Sequence, residues 1–505
     1  MTLEKLLSAV QPSAVNGPMD QSVSGLAYDS RRVEPGYLFF ALPGVKVDGF
    51  EFIPQALQNG ATVIIAEREW PDLPAGCCAV TVTDARLAMA KMSAVFYAQP
   101  SCGVPVIGVT GTNGKTTITY LLEAILKQGG YRPAVFGTID YRYAEQRHSS
   151  SHTTPESLEL IRMMREFRDL GADAFILEAS SHALEQHRVD GIEFDAAVFT
   201  NLTAEHLDYH HNLENYFASK KRLFTELLGS GKALINADDS FGARLLQEDC
   251  SRFAYGRQAD ADLHPLDITV DRNGIHGVFA GRHGQVAVNS ALIGDFNVSN
   301  LLAAVAAAQE LGIPNPVIER GIEAMSQVPG RVEVVANDKG VLALVDYAHT
   351  GDALEQVLKT LQTLEHKRLI TVVGCGGDRD PSKRPVMAQA AVGYSDVAIF
   401  TSDNPRTEDP LKILEQIKAG AVAAGSVELS RDEAMAGTRG FVMIPERRPA
   451  IEFACRLAAA GDLLLVAGKG HEDYQILGTT KIHFDDREEL KRAFDVPEQP
   501  ESGGA

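Results

Sequence analysis

Hydrophobic positions in this chain fall into short apolar runs alternating with segments of helical period, an order that predicts parallel strands joined by covering helices. From Val104 the run VPVIGV enters a glycine-rich turn, TGTNGKTT. Beyond it Ile118, Leu121, Leu122, Ile125 and Leu126 line one face of a helix that Gly129 and Gly130 close. The runs AFILE (174–178), AAVFT (196–200) and KALIN (232–236) read as further strands, and an alanine-rich helix is predicted from Ser299 to Leu311. Later, VLALVD, LITVV, VAIFT and LLLVA each run directly into a polar loop: YAHT, GCGGDRD, SDNPR and GKGHED. In an open parallel sheet the ligand crevice lies at the carboxyl ends of the strands, so four such loops point to one site. The first hundred residues hold the apolar runs ATVIIAE and AVTVTD and a helical stretch around Phe52 to Gln58.

Proline and glycine punctuation at AQPSCGVP and at VPGRVE divides the pattern near residues 99 and 331. The expected organisation is therefore an α/β protein with segments 1–98, 99–331 and 332–495. The tail 496–505, PEQPESGGA, cannot build a core and is expected to be mobile. A length of 505 residues agrees with about three domains at roughly 150 residues each. With 45% hydrophobic and 23% charged residues, the composition is that of a globular protein rather than a disordered or fibrous one. No apolar run approaches the roughly 18 residues of a spanning helix, and MTLEKLLSAV lacks the basic-then-apolar order of a secretory signal, so a cytoplasmic protein without membrane insertion is expected. Six scattered cysteines without CxxC pairs read as reduced thiols. The 47 basic against 67 acidic residues give a net charge of −20, which argues against nucleic acid as a partner. Any anionic ligand must then be held by local features.

The sharpest of these is GTNGKTT, Gly111 to Thr117, set between a strand and a helix. Backbone N–H groups of such a turn cradle phosphates; Lys115 reaches the terminal phosphates and Thr116 offers a hydroxyl to Mg²⁺. Val109 stands where the strict P-loop pattern has its first glycine. ATP binding follows. Glu178 closes an apolar strand, where its carboxylate is either a ligand for a nucleotide-bound Mg²⁺ or a solvated turn residue. The runs SSHALEQHRVDG and TNLTAEHLDYH crowd polar groups and histidines beside apolar strands, although any one histidine is by default a surface or satisfied core residue. Thr153 and Thr154 precede Pro155, and Thr154 reads equally as an N-cap or as part of an anion site. Arg379 in GGDRD and Arg406 in DNPRTEDP sit in ordered loops and suit a free carboxylate, the alternative being an Arg–Asp pair tying two loops together.

The motifs GTNGKTT, HTTPE, LEASSHALEQHRV, TNLTAEHLDYH, DYAHT, GCGGDRD, DNPR and GKGHEDYQ occur in this order over nearly the whole chain. In this the sequence resembles the Mur ligase family, MurE type. GTNGKTT alone would mark only the wider superfamily, which includes folylpolyglutamate synthases; DNPR resembles the members that add meso-diaminopimelate, from which the L-lysine-adding members differ. The resemblance implies three domains, for the UDP moiety, for ATP and, in a Rossmann-like fold, for the incoming amino acid. It implies a cytoplasmic, monomeric ligase that joins meso-diaminopimelate to UDP-MurNAc-L-Ala-D-Glu through an acyl phosphate, with ATP and two Mg²⁺. By motif, Ser30, Val45, Lys46 and Val47 would face the UDP-sugar, and Thr153, Thr154, Ser180, Gln186 and Arg188 the muramoyl dipeptide. The carried-over ATP set is Gly111, Thr112, Asn113, Gly114, Lys115, Thr116 and Thr117 with Asn297, Arg331, Asp346 and His349. Thr116, Glu178, His206 and Lys220 would surround the metals, Lys220 as an N-carboxylated side chain that the spacing from Tyr216 selects over Lys221. With Lys115, the last three form the catalytic set. Arg379, Asp403, Asn404, Pro405, Arg406, Gly468 and Glu472 would hold diaminopimelate. The rival readings are an L-lysine-adding or folylpolyglutamate-type ligase and, outside the enzymes, a nucleotide-binding regulator.

Overall fold

The computed structural model describes residues 1–44, 47–150 and 152–495, and the tail reading at 496–505 falls outside them. The chain divides into two compact units. One comprises Met1–His264, Ala280–Val286 and Asn300–Gly321; the other comprises Pro265–Phe279, Ala287–Ser299 and the chain from Ile322 onward.

The first unit opens with a five-stranded sheet in the order Ala14–Asn16, Cys78–Thr81, Val63–Ala66, Tyr37–Phe40, Gly25–Ala27. Only the first strand runs antiparallel. Alternation along the central strands sends Leu38, Phe40, Val63 and Ile65 to a core shared with Leu3, Leu6 and helix Ala85–Phe96. Phe39, Ile64 and Ala66 go to the opposite face, covered by Ile53 and Ala56. The apolar runs around residues 63 and 80 were legible, whereas Gly25–Ala27, three residues long, carries too little pattern to be read as a strand.

The same unit holds the strands Arg252–Tyr255, Lys232–Asn236, Ala196–Phe199, Val106–Thr110, Ala174–Glu178, Pro133–Phe136, Asp140–Tyr143 and Gln146–Ser149, in that spatial order. They are parallel as far as Pro133–Phe136 and then turn back in an antiparallel meander. The strand expected from Val104 begins at Val106; Pro105, which has no N–H, accepts from Phe175 through its carbonyl. Val106–Thr110 lies between Ala174–Glu178 and Ala196–Phe199, so three loops leave adjacent strand ends together. The meander was not read from the sequence, since the exposed edge strand Gln146–Ser149 has no apolar face. Three further strands, Leu263–Asp271, Gly274–Gly281 and Gly284–Ser290, precede the alanine-rich helix Phe296–Glu310.

The second unit is built on a six-stranded sheet ordered Glu333–Val335, Leu342–Asp346, Leu463–Ala467, Leu369–Cys375, Val397–Ser402, Gly440–Met443. All but the first strand are parallel. Its central strands are buried along their whole length, which is why they read as continuous apolar runs. On one face Leu354, Leu358 and Leu361 pack with Met387, Ala391 and Ile417; on the other Ala450, Ile451 and Ala454 pack with Leu490. Arg447 is buried here in a bidentate pair with Asp486, at 2.7 and 2.6 Å, and also donates to the carbonyl of Ala467 at the end of a central strand. Neither side chain of the pair is exposed to solvent.

Removing one partner strands a buried charge, a loss of about 3–5 kcal/mol. Asp486→Ala is expected to lower the thermal midpoint of the second unit's transition sharply. In calorimetry the double change Arg447→Met/Asp486→Leu recovers most of that loss.

Candidate active site

The glycine-rich turn is held open by residues that tolerate no side chain. Gly111 has φ +146°, and a Cβ there would lie 1.8 Å from the Thr200 hydroxyl; Gly114 has φ +89°, and its Cβ would lie 2.3 Å from Asn300 Oδ1. Gly114 caps the helix Lys115–Gln128 without any side-chain acceptor, leaving that terminus to the loop. Neighbouring strand ends fix the loop's course. Thr110 donates to the carbonyl of Ala179 at 2.7 Å, Thr200 to the carbonyl of Asn113 at 2.6 Å, and the Asn113 N–H to Asn201 Oδ1 at 2.9 Å. Thr112 Oγ1 lies 3.2 Å from the Tyr216 hydroxyl.

Two lysines converge on one backbone oxygen. Lys115 Nζ donates to the carbonyls of Gly111 and Thr112, and Lys220 Nζ donates to the same Gly111 carbonyl at 2.9 Å. Lys220 is 1% exposed, stands 4.4 Å over the Tyr216 ring and has no carboxylate in ion-pair range among the described residues. Burial, and then the charge of Lys115, pull its amine well below the ordinary lysine range.

Glu178 is buried at the end of its strand, with Oε1 accepting from the Thr138 N–H at 3.0 Å and Oε2 from the Thr138 hydroxyl at 2.8 Å. The hydroxyl of Thr138 is 3.1 Å from that of Thr153. Thr154 donates to the Glu178 carbonyl at 2.6 Å and accepts from the Ser180 N–H. Arg188 donates to the Thr154 carbonyl at 2.9 Å and to Gln186 at 2.7 Å, and pairs with Glu156 at 3.1 Å, while its Nε is buried without a partner. Thr153, Thr154, Ser180, Gln186 and Arg188 thus form one polar network beside Glu178. Thr154 does not cap the following helix, whose N-cap is Glu156.

His206 takes φ +56° and sits in a ring cluster with His182, Tyr209, His210 and Tyr216. Burial, aided by its two histidine neighbours, pushes His182 down to about 4, and burial lowers His206 and His210 as well. Thr138, Tyr209 and Tyr216 were not singled out from the sequence; Thr138 follows the unread strand Pro133–Phe136, and the others needed the fold to meet. Ser30 lies in the first sheet's segment, where it donates to Gln55 at 2.7 Å. Val47 is exposed, and Val45 and Lys46 lie outside the described residues.

The remaining candidates belong to the second unit. Asp346 is buried, accepts from the N–H groups of Val332 and Ala348, and is raised by that burial against the pull of Arg331. Arg331 stacks 4.6 Å from the centre of the Tyr347 ring, and His349 Nδ1 is 3.0 Å from the Tyr347 carbonyl. Asn297 is buried, with Nδ2 donating to the Ile293 carbonyl. At the next strand ends Asp403, Asn404 and Glu472 surround Lys469, and Asn404 donates to Glu472 at 3.0 Å. Gly468 has φ +113°, and a Cβ there would stand 3.1 Å from Asp403 Oδ2. Pro405 is buried, whereas Arg406, at φ +50°, is half-buried and donates to the Gly377 carbonyl. A Cβ on Gly376 would lie 3.1 Å from an Arg406 guanidinium nitrogen and 4.0 Å from Arg379 Cγ, so both arginines border one glycine. Neither forms an ion pair among the described residues; Arg384, paired with Glu408, ties the two loops instead.

Fold and loop together define a nucleotide-binding α/β protein with a P-loop at the carboxyl edge of a parallel sheet. Family models described as "Mur ligase family, catalytic domain", "Mur ligase middle domain" and "Mur ligase, glutamate ligase domain" match residues 22–97, 109–308 and 330–470. The chain is 51% identical over 503 residues to the UDP-N-acetylmuramoyl-L-alanyl-D-glutamate--2,6-diaminopimelate ligase of Geobacter sulfurreducens, covering 98% of this chain and 99% of that one. To the protein of the same name from Gloeobacter violaceus it is 43% identical, with 98% of each chain covered. A solved structure of a ligase so named superposes with a TM-score of 0.71 at 35% identity, over 98% of this chain and 99% of that one. Folylpolyglutamate synthase of Mycobacterium tuberculosis shares the fold at a TM-score of 0.60 and 16% identity, over 76% of this chain and 92% of that one. The chain belongs to the Mur ligase family and is an ATP-dependent ligase.

Gly111→Ala places a methyl group inside the Thr200 hydroxyl and imposes a φ that alanine avoids. Titration with a fluorescent ADP analogue is expected to show affinity reduced at least about tenfold, ~1.4 kcal/mol.

Proposed function

We propose that this enzyme joins meso-diaminopimelate to the D-Glu γ-carboxylate of UDP-MurNAc-L-Ala-D-Glu, with ATP as the activating substrate. The observations that carry the reading are a lysine-lined P-loop in one unit and a cluster of arginine and carboxylate side chains at the DNPR loop of the other, in a chain about half identical to a ligase of that name. A carboxylate near neutral pH does not accept an amine. ATP therefore transfers its γ-phosphoryl group to the substrate carboxylate, giving an acyl phosphate and ADP. The diaminopimelate amine, having lost a proton, then attacks the acyl carbon and inorganic phosphate leaves. Positioning and charge neutralisation carry most of such a phosphoryl transfer. Lys115 and the N–H groups of Gly111–Thr117 take the phosphates, with Asn297, Arg331, Asp346 and His349 on the nucleotide side. The network of Thr153, Thr154, Ser180, Gln186 and Arg188 holds the dipeptide, Arg188 offering its unpartnered Nε. Ser30 and the segment around Val47 face the UDP-sugar.

Thr116, Glu178, His206 and Lys220 would hold Mg²⁺, which supplies charge neutralisation at the phosphate oxygens. Their fit rests on Lys220. Burial pulls the Lys220 amine well below the ordinary lysine range, which favours the free amine that reacts with CO₂ to give a carbamate and a proton; the anionic oxygens produced suit a hard cation. In CO₂-depleted buffer activity is expected to fall several-fold and bicarbonate to restore it, while Lys220→Arg shows neither response.

At the acceptor, Arg406 and Arg379 meet the distal carboxylate that L-lysine lacks, and Asp403, Asn404 and Glu472 meet its ammonium. Phosphate release is expected with meso-diaminopimelate and not with L-lysine. Arg406→Ala should raise KM for diaminopimelate at least about tenfold, the loss of a charged hydrogen bond, with KM for ATP unchanged. Release with L-lysine alone would overturn the assignment.

A further inference from the structure

Lys469 is the most deeply buried cation of the acceptor pocket, and no step above uses it. Its side chain is 0% exposed, and Nζ lies 3.4 Å from Asp403 Oδ1, 3.3 Å from Asn404 Oδ1 and 3.2 Å from Glu472 Oε2. Gly468 and Gly470 flank it in left-handed conformations, at φ +113° and +54°, and a Cβ on Gly470 would strike Tyr347 at 2.6 Å. The backbone thus spends two positive-φ glycines on turning one lysine inward. Burying an ammonium this completely is costly unless it is compensated, and here two carboxylates and an amide oxygen do so. The nearby Arg447 is already balanced by Asp486.

We propose that Lys469 is a positioning residue that sets the charge balance of the acceptor pocket, and through it the choice of acceptor. The inference rests on the diaminopimelate reading above. With Lys469 present, the cations Lys469, Arg406 and Arg379 outnumber the carboxylates of Asp403 and Glu472 by one, a balance that accepts the zwitterionic distal end of diaminopimelate and disfavours a lone ammonium. Without Lys469 that surplus is gone and the group is neutral, which removes the penalty on the lone ammonium at the distal end of L-lysine. Lys469 also fixes the two carboxylates and the Asn404 amide relative to one another, so the ammonium of the acceptor meets a preset group of oxygens.

The test is kcat/KM for meso-diaminopimelate divided by that for L-lysine, measured on the full-length enzyme with KM for ATP followed in parallel. Wild-type enzyme that does not turn over diaminopimelate would remove the functional reading itself. Given wild-type turnover, Lys469→Met is expected to lower the ratio at least tenfold at unchanged KM for ATP. The double change Lys469→Met/Glu472→Gln, which restores the balance, returns the ratio to within about threefold of wild type. A ratio unmoved in Lys469→Met, or equally depressed in the double variant, would overturn the proposal. Should Lys469→Met fail to fold, Glu472→Gln alone adds a second surplus positive charge and is expected to raise the ratio at least threefold; an unchanged ratio there overturns the proposal as well.

Discussion

The glycine-rich loop of the first unit is organised around one backbone oxygen. Gly111 adopts a conformation closed to residues with a side chain, which aims its carbonyl at the amines of both Lys115 and Lys220. The loop lies flat against Thr200 only because nothing projects from Gly111. Burial, and then the charge of Lys115, pull the amine of Lys220 well below the ordinary lysine range.

Both units solve the same problem with the same topology. Parallel strands buried on both faces can take almost no polar side chains, so polarity is expelled to the strand ends, where loops from adjacent strands meet. In the first unit Thr110, Glu178 and Thr200 end neighbouring strands or follow them directly, and each is spoken for by a loop from the next strand over. In the second unit Asp346, Asp403 and the Gly468–Glu472 turn occupy the equivalent edge. In a protein with a net charge of −20, Lys115 and Lys220 stand at one of these edges and Arg379, Arg406 and Lys469 at the other, and Lys220 and Lys469 are buried there, where charge acts at short range.

Much of the site was legible because phosphate loops are local. GTNGKTT is read from spacing alone, since the strand, the turn and the helix N-terminus that make it work are consecutive in the chain. The wide apolar runs of the central strands and the helical face from Ile118 to Leu126 were legible for the same reason. Short strands such as Gly25–Ala27 and the polar edge Gln146–Ser149 were not, because pattern needs length and a buried face. Thr138 stayed hidden behind one of the unread elements, although it donates to both oxygens of the Glu178 carboxylate.

The sequence by itself determined the phosphate loop, the alternation of the central apolar strands with covering helices, and the family, since each is written in residues adjacent along the chain. Only the tertiary structure decided between roles that a residue type leaves open. It made Thr154 a partner of Glu178 and Arg188 rather than a helix cap, left Arg406 beside Gly376 with no ion pair among the described residues, and enclosed Lys469 among Asp403, Asn404 and Glu472. Burial and the identity of neighbours from distant segments set the charge and the freedom of a side chain. Neither quantity exists until the chain has folded.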